Sequence, residues 1–257
     1  MGLGNISITG NYPEVSKDTM LSKLNILKEP FLENFNPNIN DRIDRIKRIQ
    51  KLVEENIDAF HKSLREDFGS RHEQLSLMAD TMPVINNAKH ALKNIKKWVK
   101  QDNRKPNFPL GLLGSKAYVQ FQPYGVVGII SPWNFPLTLS IAPLIETFAA
   151  GNNAMIKLSE FVPATSELTE KLINKYFTEK EVVIINGGTQ TSQSFAGLPF
   201  DHLLFTGSTN VAKKVASEAA SNLVPMTLEL GGKSPAIVSS NAKMKKSVDK
   251  IMMGKLL

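Results

Sequence analysis

Apolar residues recur at spacings of three and four through roughly the first hundred positions, a rhythm that predicts amphipathic helices. The first apolar stripe lies between positions 41 and 67 and is predicted to line one face of a helix. Its members are Ile43, Ile46, Ile49, Val53, Ile57, Phe60 and Leu64.

A second apolar stripe runs from Leu75 to Val99 in the same rhythm. Pro83 interrupts it, and because proline lacks an amide hydrogen and crowds the preceding turn, the helix is expected to kink or restart there. The stripe includes Met78 and Met82, whose flexible side chains are expected to fill the core.

The pattern changes after Gly125, where short β-branched runs alternate with helical stretches. This order predicts an α/β fold, with a Rossmann-type parallel sheet that is covered on both faces and binds ligands at the carboxyl ends of its strands. The predicted strands are Val126–Ile130, Ala154–Ile156, Val182–Ile185, His202–Phe205 and Thr227–Leu230. The predicted helices are Leu137–Ala150, Pro163–Tyr176, Thr191–Ala196 and Thr209–Ser221.

A segment rich in proline and glycine separates the two patterns. It runs from Lys105 to Gly114 and is typical of a linker, and Ala117–Gln122 after it predicts a strand. The pattern therefore divides the chain up to position 230 into an amino-terminal helical part (1–104), a linker with strands (105–124) and an α/β domain (125–230).

Composition and charge exclude several classes of partner. The hydrophobic content of 42% is normal for a globular protein. The net charge is +7, but acidic residues interleave with the basic ones in the predicted helices, so no nucleic-acid partner is expected. The densest basic cluster, Lys93–Lys100, ends a predicted helix, where cations face the negative end of the helix dipole.

Membrane, metal and disulfide signals are also missing from the sequence. No apolar run approaches the roughly eighteen residues of a membrane-spanning helix. Residues 1–7 lack the basic start and apolar stretch of a signal peptide, so a cytoplasmic protein is expected. His61, His72 and His90 lack the ligand spacing of a metal site, and no metal is expected. The chain has no cysteine, so disulfides play no part.

Four polar motifs follow predicted strands, at the edge where a ligand is expected. They are Pro-Trp-Asn-Phe-Pro at 132–136, Lys-Leu-Ser-Glu at 157–160, Phe-Thr-Gly-Ser-Thr at 205–209 and Glu-Leu-Gly-Gly-Lys-Ser-Pro at 229–235. In this order they resemble the NAD(P)-dependent aldehyde dehydrogenase superfamily, and the resemblance extends from position 41 to 257. Segments 66–69, 123–128 and 254–257 are most similar to coniferyl-aldehyde dehydrogenases and their fatty- and aromatic-aldehyde relatives.

The resemblance implies an aldehyde-dehydrogenase-like fold in which residues 125–230 bind NAD, and residues 231–257 begin a truncated catalytic domain. It also implies that strands within 105–124 form a homodimer in the full-length protein. The implied substrate is an aldehyde, either aromatic, such as coniferyl aldehyde, or aliphatic.

Asn134 lies in a turn bracketed by two prolines, which hold the backbone that aims its side chain. A rigidly held amide donor suits an oxyanion, although an asparagine in a proline-flanked turn is also common for structural reasons. The resemblance implies that Asn134 stabilises the oxyanion of the thiohemiacetal and that Glu229 is the general base that activates water. A capping carboxylate is the structural alternative for Glu229.

The resemblance also implies the cofactor contacts. Lys157 and Glu160 meet the adenosine ribose, and the carboxylate of Glu160 favours NAD over NADP because it would repel a 2′-phosphate. Gly207 and Ser208 open a helix whose amides can receive a pyrophosphate. Ala212 departs from the glycine of many members. The implied cofactor-binding residues are Ile130, Ser131, Pro132, Trp133, Lys157, Glu160, Gly207, Ser208 and Leu230.

The missing cysteine limits this interpretation, because the family works through a cysteine thiolate. The resemblance places that nucleophile shortly after Leu257, so the chain by itself is expected to be inactive. One alternative is a non-catalytic NAD-binding or interaction remnant of a truncated gene, and another is an unstable product with exposed apolar surface.

Overall fold

The structure is a computed structural model that describes residues 12–256. The expected absence of a signal peptide rests on residues 1–7, which lie outside the described residues. Within these bounds the elements follow in the order α1 (Lys17–Glu33), α2 (Ile39–Glu54), α3 (Ile57–Phe68), α4 (Glu73–Ser76), a π-helical turn (Leu77–Thr81), α5 (Met82–Trp98), β1 (Asp102–Arg104), a 3₁₀ turn (Leu110–Leu113), β2 (Ala117–Val119), β3 (Val126–Ile130), α6 (Thr138–Ala150), β4 (Asn153–Lys157), α7 (Pro163–Tyr176), β5 (Val182–Ile185), α8 (Thr189–Ala196), β6 (His202–Gly207), α9 (Thr209–Ala220), β7 (Met226–Leu230) and α10 (Met244–Leu256).

The strands from β3 to β7 form a parallel sheet in the order β5-β4-β3-β6-β7, which confirms the predicted fold class. The chain builds outward from β3 to β5 and then returns to β6 and β7 on the other side of β3. The helices that follow β3 and β6 therefore cover opposite faces, and a crevice opens between the carboxyl ends of these two strands. Open α/β sheets bind their ligands at such a crevice.

Successive side chains of each strand point to opposite faces of the sheet, and each face has its own core. On the first, called the α6 face, Val127, Ile129 and Ile156 pack beneath α2, α5, α6 and α7. On the second, called the α9 face, Met155 and Phe205 pack beneath α1, α8 and α9. Because helices cover both faces, β3 and β5 are buried along their whole length.

The first apolar stripe forms two helices, α2 and α3, where one was predicted. Its members Ile46, Ile49 and Phe60 are fully buried, as the pattern requires. The helix is interrupted because Asn56 donates its side-chain Nδ2 to the Leu52 carbonyl oxygen at 2.7 Å, the acceptor that a continuing helix would use.

The prediction that Met78 and Met82 fill the core is wrong, because 58% of Met78 and 44% of Met82 are exposed. The π-helical turn contributes an extra residue, which rotates the apolar stripe relative to the core. Asp80 and Thr81 are buried in place of the methionines. Pro83 lies in the first turn of α5, so the helix restarts there as predicted.

Charged residues of the amino-terminal helical part hold both ends of α6. Asp80 Oδ1 accepts hydrogen bonds from the backbone amides of Leu137 at 3.1 Å and Thr138 at 3.3 Å. At the other end, Arg42 Nη1 donates to the Ala149 carbonyl oxygen at 3.1 Å. A carboxylate at the amino end and a cation at the carboxyl end both complement the helix dipole.

Helix α7 is held in the same way. Asp67 accepts hydrogen bonds from the backbone amides of Ala164 at 2.9 Å and Thr165 at 2.8 Å, and α7 has no capping side chain of its own. Arg48 Nη1 donates to the Tyr176 carbonyl oxygen at 2.9 Å, at the carboxyl end of α7. The dipoles of α6 and α7, both on the α6 face, are thus neutralised by α2, α3 and the π-helical turn.

We expect Glu181→Gln to destabilise the chain by about 1.5–3 kcal/mol at pH 7, because its carboxylate accepts hydrogen bonds from charged groups. Arg48 Nη2 lies 2.5 Å from Glu181 Oε1, and Arg45 Nε lies 3.3 Å from it. Burial opposes ionisation of Glu181, but Arg48, the Thr178 amide and Arg45 outweigh it, so its pKa is lowered.

Because the folded-state pKa is lowered, this contribution is present above the unfolded pKa of about 4.3 and is lost as the pH falls through the folded value. Unfolding by urea between pH 3 and 7 measures it, with Glu179→Gln as the control, since Glu179 forms an exposed pair with Lys23. A difference from the parent chain that stays constant over this pH range would contradict the assignment.

Strand β2 pairs with β1 in a separate antiparallel sheet. The strand expected over Ala117–Gln122 forms over Ala117–Val119, and β1 was not predicted because its residues, Asp-Asn-Arg, carry no strand signal. Large apolar side chains of this segment are exposed, including Phe108, Leu112 and Phe121. The division of the chain into four domains stays a prediction.

The described part of the chain lacks two features that would point to a membrane or a metal. Among residues 12–256, no helix combines the length and apolar character needed to cross a bilayer. In the same range, no three His, Cys, Asp or Glu side chains are grouped so that they could hold a metal ion.

Candidate active site

The sheet register aligns the predicted site residues at one edge. Ile130 at the end of β3 pairs with Lys157 at the end of β4 on one side and with Phe205 of β6 on the other. Gly207 at the end of β6 pairs with Leu230 at the end of β7. Four motifs that are far apart in sequence therefore meet where the crevice opens.

Asn134 and Glu229 belong to the α6 face of this edge. Asn134 lies in the turn that enters α6 and is exposed. Glu229 pairs with Thr206 in the sheet, and it alternates with Leu228 and Leu230 along β7. Met226 packs against the core of the α9 face, so Glu229, three positions later, points to the α6 face. Glu229 is exposed in the described part of the chain.

A buried ion pair holds the turn that carries Asn134. Arg71 Nη1 donates to the Asn134 carbonyl oxygen at 2.8 Å, and Arg71 Nη2 lies 2.6 Å from Asp80 Oδ2. The side chains of Arg71 and Asp80 are 5% and 0% exposed. Burial raises the pKa of Asp80, and Arg71 and two backbone amides oppose this shift by favouring the carboxylate.

Arg71 and Asp80 were not among the site residues predicted from the sequence. The signal that could have found Asp80 is its place between apolar positions of the second stripe, where Ser76, Asp80 and Thr81 are all buried. A charged residue in such a place needs a partner of opposite charge. Arg71 gives no comparable signal, because its position after Gly69 reads as a solvent-facing loop.

Lys157 belongs to the α9 face, because it lies two positions after Met155 in β4. Only 1% of its side chain is exposed, and its Nζ donates to the Leu158 carbonyl oxygen at 2.6 Å. Glu160 Oε2 lies 3.5 Å from the same Nζ. Burial lowers the pKa of Lys157 and Glu160 opposes the shift, so the two motif charges stabilise each other.

The amino end of α9 lies on the same face. Ser208 is the exposed N-cap residue, and its Oγ accepts a hydrogen bond from the Val211 amide at 3.4 Å. A Cβ added to Gly207 would lie 2.6 Å from the Phe205 ring, so any other residue here would force this buried ring to shift. Ala212 is 2% exposed and packs in the core of the α9 face, so its methyl group leaves the mouth of the crevice clear.

The remaining predicted residues surround the crevice unevenly. Ile130 and Ser131 are buried at the end of β3, and 40% of Leu230 is exposed at the end of β7. Pro132 is partly buried, and 52% of Trp133 is exposed, with its ring centroid 6.3 Å from that of Phe68. The structure thus brings all four motifs to one edge, with Trp133 at the outer rim.

The fold is an open α/β sheet covered on both faces, and a helix N-terminus and a buried lysine adjoin the switch point where such sheets bind their ligands. A sequence model described as the aldehyde dehydrogenase family matches residues 8–257. The chain therefore belongs to the aldehyde dehydrogenase family, which confirms the resemblance of its motifs and supports an oxidoreductase.

Three proteins of known name or structure are similar to this chain. A probable coniferyl aldehyde dehydrogenase of Caulobacter vibrioides is 46% identical over 245 residues, which cover 95% of this chain and 50% of that protein. The substrate-bound state of AldH from Staphylococcus aureus is 35% identical with a TM-score of 0.87, covering 92% of this chain and 51% of that one. An aldehyde dehydrogenase of Mycobacterium tuberculosis complexed with NAD+ is 26% identical with a TM-score of 0.79, covering 91% and 48%. The chain spans about half the length of these proteins.

Proposed function

We propose that the whole protein to which this chain belongs oxidises an aldehyde to the carboxylic acid, with NAD as the hydride acceptor. The observation that carries the proposal is the division of one sheet edge between two faces. Asn134 and Glu229 lie on the α6 face, and Lys157 and Ser208 lie on the α9 face. Lys157 and Ser208, which we propose contact the cofactor, thereby lie on the opposite face of the sheet from the two residues that we propose act on the aldehyde.

The residues of the α9 face fit a dinucleotide. The cation of Lys157 and the carboxylate of Glu160 are a donor and an acceptor for two ribose hydroxyls. The hydroxyl of Ser208 and the first-turn amides of α9 suit a pyrophosphate, and the close approach to Phe205 at Gly207 keeps this turn free of a side chain. When bound, NAD supplies the acceptor for the hydride that leaves the substrate carbon.

On the α6 face we assign two chemical roles. Asn134 donates its side-chain amide to the oxygen of the tetrahedral intermediate, where negative charge develops as a thiolate attacks the aldehyde carbon. Loss of hydride from that carbon leaves a thioester. Glu229 takes a proton from the water that attacks the thioester, and the acid and the free thiol are released.

The thiolate cannot come from these residues, because the 257 positions include no cysteine. The nucleophile that we propose is therefore a cysteine of the whole protein that lies outside these 257 residues. We therefore propose that this chain by itself binds NAD without oxidising aldehydes, and that the whole protein does both. A non-catalytic NAD-binding module is the second candidate, and the missing cysteine is the observation that favours it.

The substrate proposed for the whole protein is an aromatic aldehyde such as coniferyl aldehyde, because a relative of that name is 46% identical to this chain. An aliphatic aldehyde is the alternative. We also propose that the whole protein is a cytoplasmic homodimer joined through residues 105–124, where Phe108, Leu112, Phe121 and Tyr124 expose apolar surface.

Thermal unfolding of the 257-residue chain tests cofactor binding apart from catalysis. NAD at about a hundred times its Kd is expected to stabilise the fold by about 2.7 kcal/mol and to raise Tm by roughly 5–10 °C. Turnover of coniferyl aldehyde with NAD is then measured on the whole protein, purified from its native source. No Tm shift and no turnover would overturn the proposed function, whereas a shift with no turnover in that protein would favour the binding module.

The preference between NAD and NADP depends on Glu160, and Glu160→Gln tests it. Removing the carboxylate removes its repulsion of a 2′-phosphate, so the ratio of the NADP Kd to the NAD Kd is expected to fall at least about tenfold. Titration of both cofactors by calorimetry measures the ratio. Glu167→Gln, an exposed change on α7, is the control. An unchanged ratio in Glu160→Gln would place the ribose elsewhere.

A further inference from the structure

The turn between β3 and α6 carries the proposed oxyanion donor, and a remote residue holds it in addition to its own prolines. Its contact with the body of the molecule is made through the backbone, because the Asn134 carbonyl oxygen accepts a hydrogen bond from Arg71 Nη1 at 2.8 Å. Arg71 is 63 residues away in sequence, in the loop that follows α3. The direction of the Asn134 side chain thus depends on a residue of the amino-terminal helical part.

Arg71 is itself immobilised on three sides. Its Nη2 lies 2.6 Å from Asp80 Oδ2, and its guanidinium carbon lies 4.7 Å from the centroid of the Phe68 ring and 5.3 Å from that of Phe135. Phe135 is the residue next to Asn134, so the guanidinium contacts both the carbonyl group and the neighbouring ring. Such a planar group, stacked and doubly hydrogen-bonded, has little freedom to move.

Asp80 extends the same support to the far end of the turn. While Oδ2 meets Arg71, Oδ1 accepts hydrogen bonds from the amides of Leu137 and Thr138. The Thr138 hydroxyl donates in return to the Asp80 carbonyl oxygen at 2.9 Å. The ion pair therefore forms hydrogen bonds with both ends of the turn, at Asn134 and at the start of α6.

A role in stability alone is a poor explanation for this pair. Removing two charges from water costs about as much as their attraction returns, and apolar residues of similar volume often serve as well. The π-helical turn that carries Asp80 is also a local irregularity of the kind that concentrates at functional sites. The directional contacts of the pair are what apolar side chains could not reproduce.

We propose that Arg71 and Asp80 are positioning residues that hold the Asn134 amide in the direction required by the oxyanion. This inference rests on the proposed function of Asn134. Arg71→Lys keeps the positive charge beside Asp80 but cannot reach both Asp80 and the Asn134 carbonyl, so kcat of the whole protein is expected to fall about 10²-fold. The KM for NAD is expected to change much less than kcat, because Lys157, Glu160 and Ser208 lie on the α9 face, away from Arg71.

A double-mutant cycle separates positioning from general destabilisation. In the Asn134→Ala background, Arg71→Lys is expected to lower kcat less than about threefold, because the donor that it positions is already gone. A residue with only a structural role would lower kcat by the same factor in both backgrounds. Arg48→Lys is the matched control, since Arg48 pairs with Glu181 and a backbone carbonyl at the other edge of the sheet. It is expected to leave kcat unchanged.

A second measurement does not depend on catalysis. In the 257-residue chain, Asp80→Ala is expected to speed hydrogen exchange of the Leu137 and Thr138 amides at least about tenfold relative to the parent. Asp80→Asn keeps an acceptor oxygen, so its exchange rates are expected to stay closer to those of the parent. Unchanged exchange in Asp80→Ala would overturn the inference. So would equal kcat losses in the two backgrounds of the cycle. A parent protein without turnover would refute the proposed function, and the exchange rates would then still decide whether the pair holds the turn.

Discussion

Asn134→Ala is expected to lower kcat for aldehyde oxidation by the whole protein about 10²–10³-fold, which corresponds to about 2.7–4 kcal/mol of transition-state stabilisation. The loss arises because the side-chain amide meets charge that exists only in the tetrahedral intermediate. The KM for NAD is expected to stay unchanged, since Lys157, Glu160 and Ser208 lie on the other face of the sheet. Steady-state kinetics with coniferyl aldehyde measures both quantities.

The structure explains why this effect should be large. The turn between Pro132 and Pro136 is constrained by its prolines, and Arg71 holds the Asn134 carbonyl oxygen at 2.8 Å, so the donor is oriented before the substrate arrives. A preorganised donor costs no rearrangement when charge develops. Asn174→Ala, an exposed change in the last turn of α7, is the matched control and should leave kcat unaffected. If kcat of Asn134→Ala were within threefold of the parent value, Asn134 would not be the oxyanion donor.

Glu229→Gln is expected to lower the steady-state rate by about 10²–10⁴-fold, the range for removal of a general base. Its signature differs from that of Asn134→Ala. Oxidation of the first aldehyde does not need activated water, so one equivalent of NADH should form rapidly in each active site and then stop. The acyl group remains on the thiol, because the amide of glutamine cannot take a proton from water.

Rapid mixing with detection of NADH fluorescence measures this burst, and intact mass identifies the trapped acyl group. Glu66→Gln, an exposed change on α3, controls for the loss of one negative charge. If Glu229→Gln abolished the burst together with the steady rate, Glu229 would act before hydride transfer, for example in deprotonating the thiol. Full activity would return Glu229 to the role of a capping carboxylate.

Local sequence patterns predicted much of the fold for identifiable reasons. The runs at Val126–Ile130 and Val182–Ile185 are buried on both faces, and such strands are recognisable from their composition alone. Pro83 marked the restart of a helix correctly, because the ring constraint acts within one turn. Met78 and Met82 were misplaced, since periodicity assumes a constant number of residues per turn and the π-helical turn breaks that assumption.

Part of the candidate site could also be predicted from local sequence patterns. Four motifs could be placed at strand ends, and the parallel sheet brings those ends together, although the roles of their residues stay predictions. Arg71 and Asp80 could not be assigned to the site, because the contacts that join them to Asn134 and to the start of α6 span 57 to 63 residues of sequence. The face on which Glu229 lies could not be predicted either. Alternation along β7 shows that neighbouring residues point to opposite faces, but only the pairing with β6 shows which face each residue occupies.

The sequence by itself determined the alternation of strands and helices, the order of the four motifs and the family, because these depend on short-range chemistry along the chain. Only the tertiary structure decided how the helices of the α6 face are anchored. Asp80 and Leu137 are 57 residues apart, Asp67 and Ala164 are 97 apart, and Arg42 and Ala149 are 107 apart. A local pattern carries no information on such pairs, since a capping charge is equally effective from any position that folding brings to the helix end.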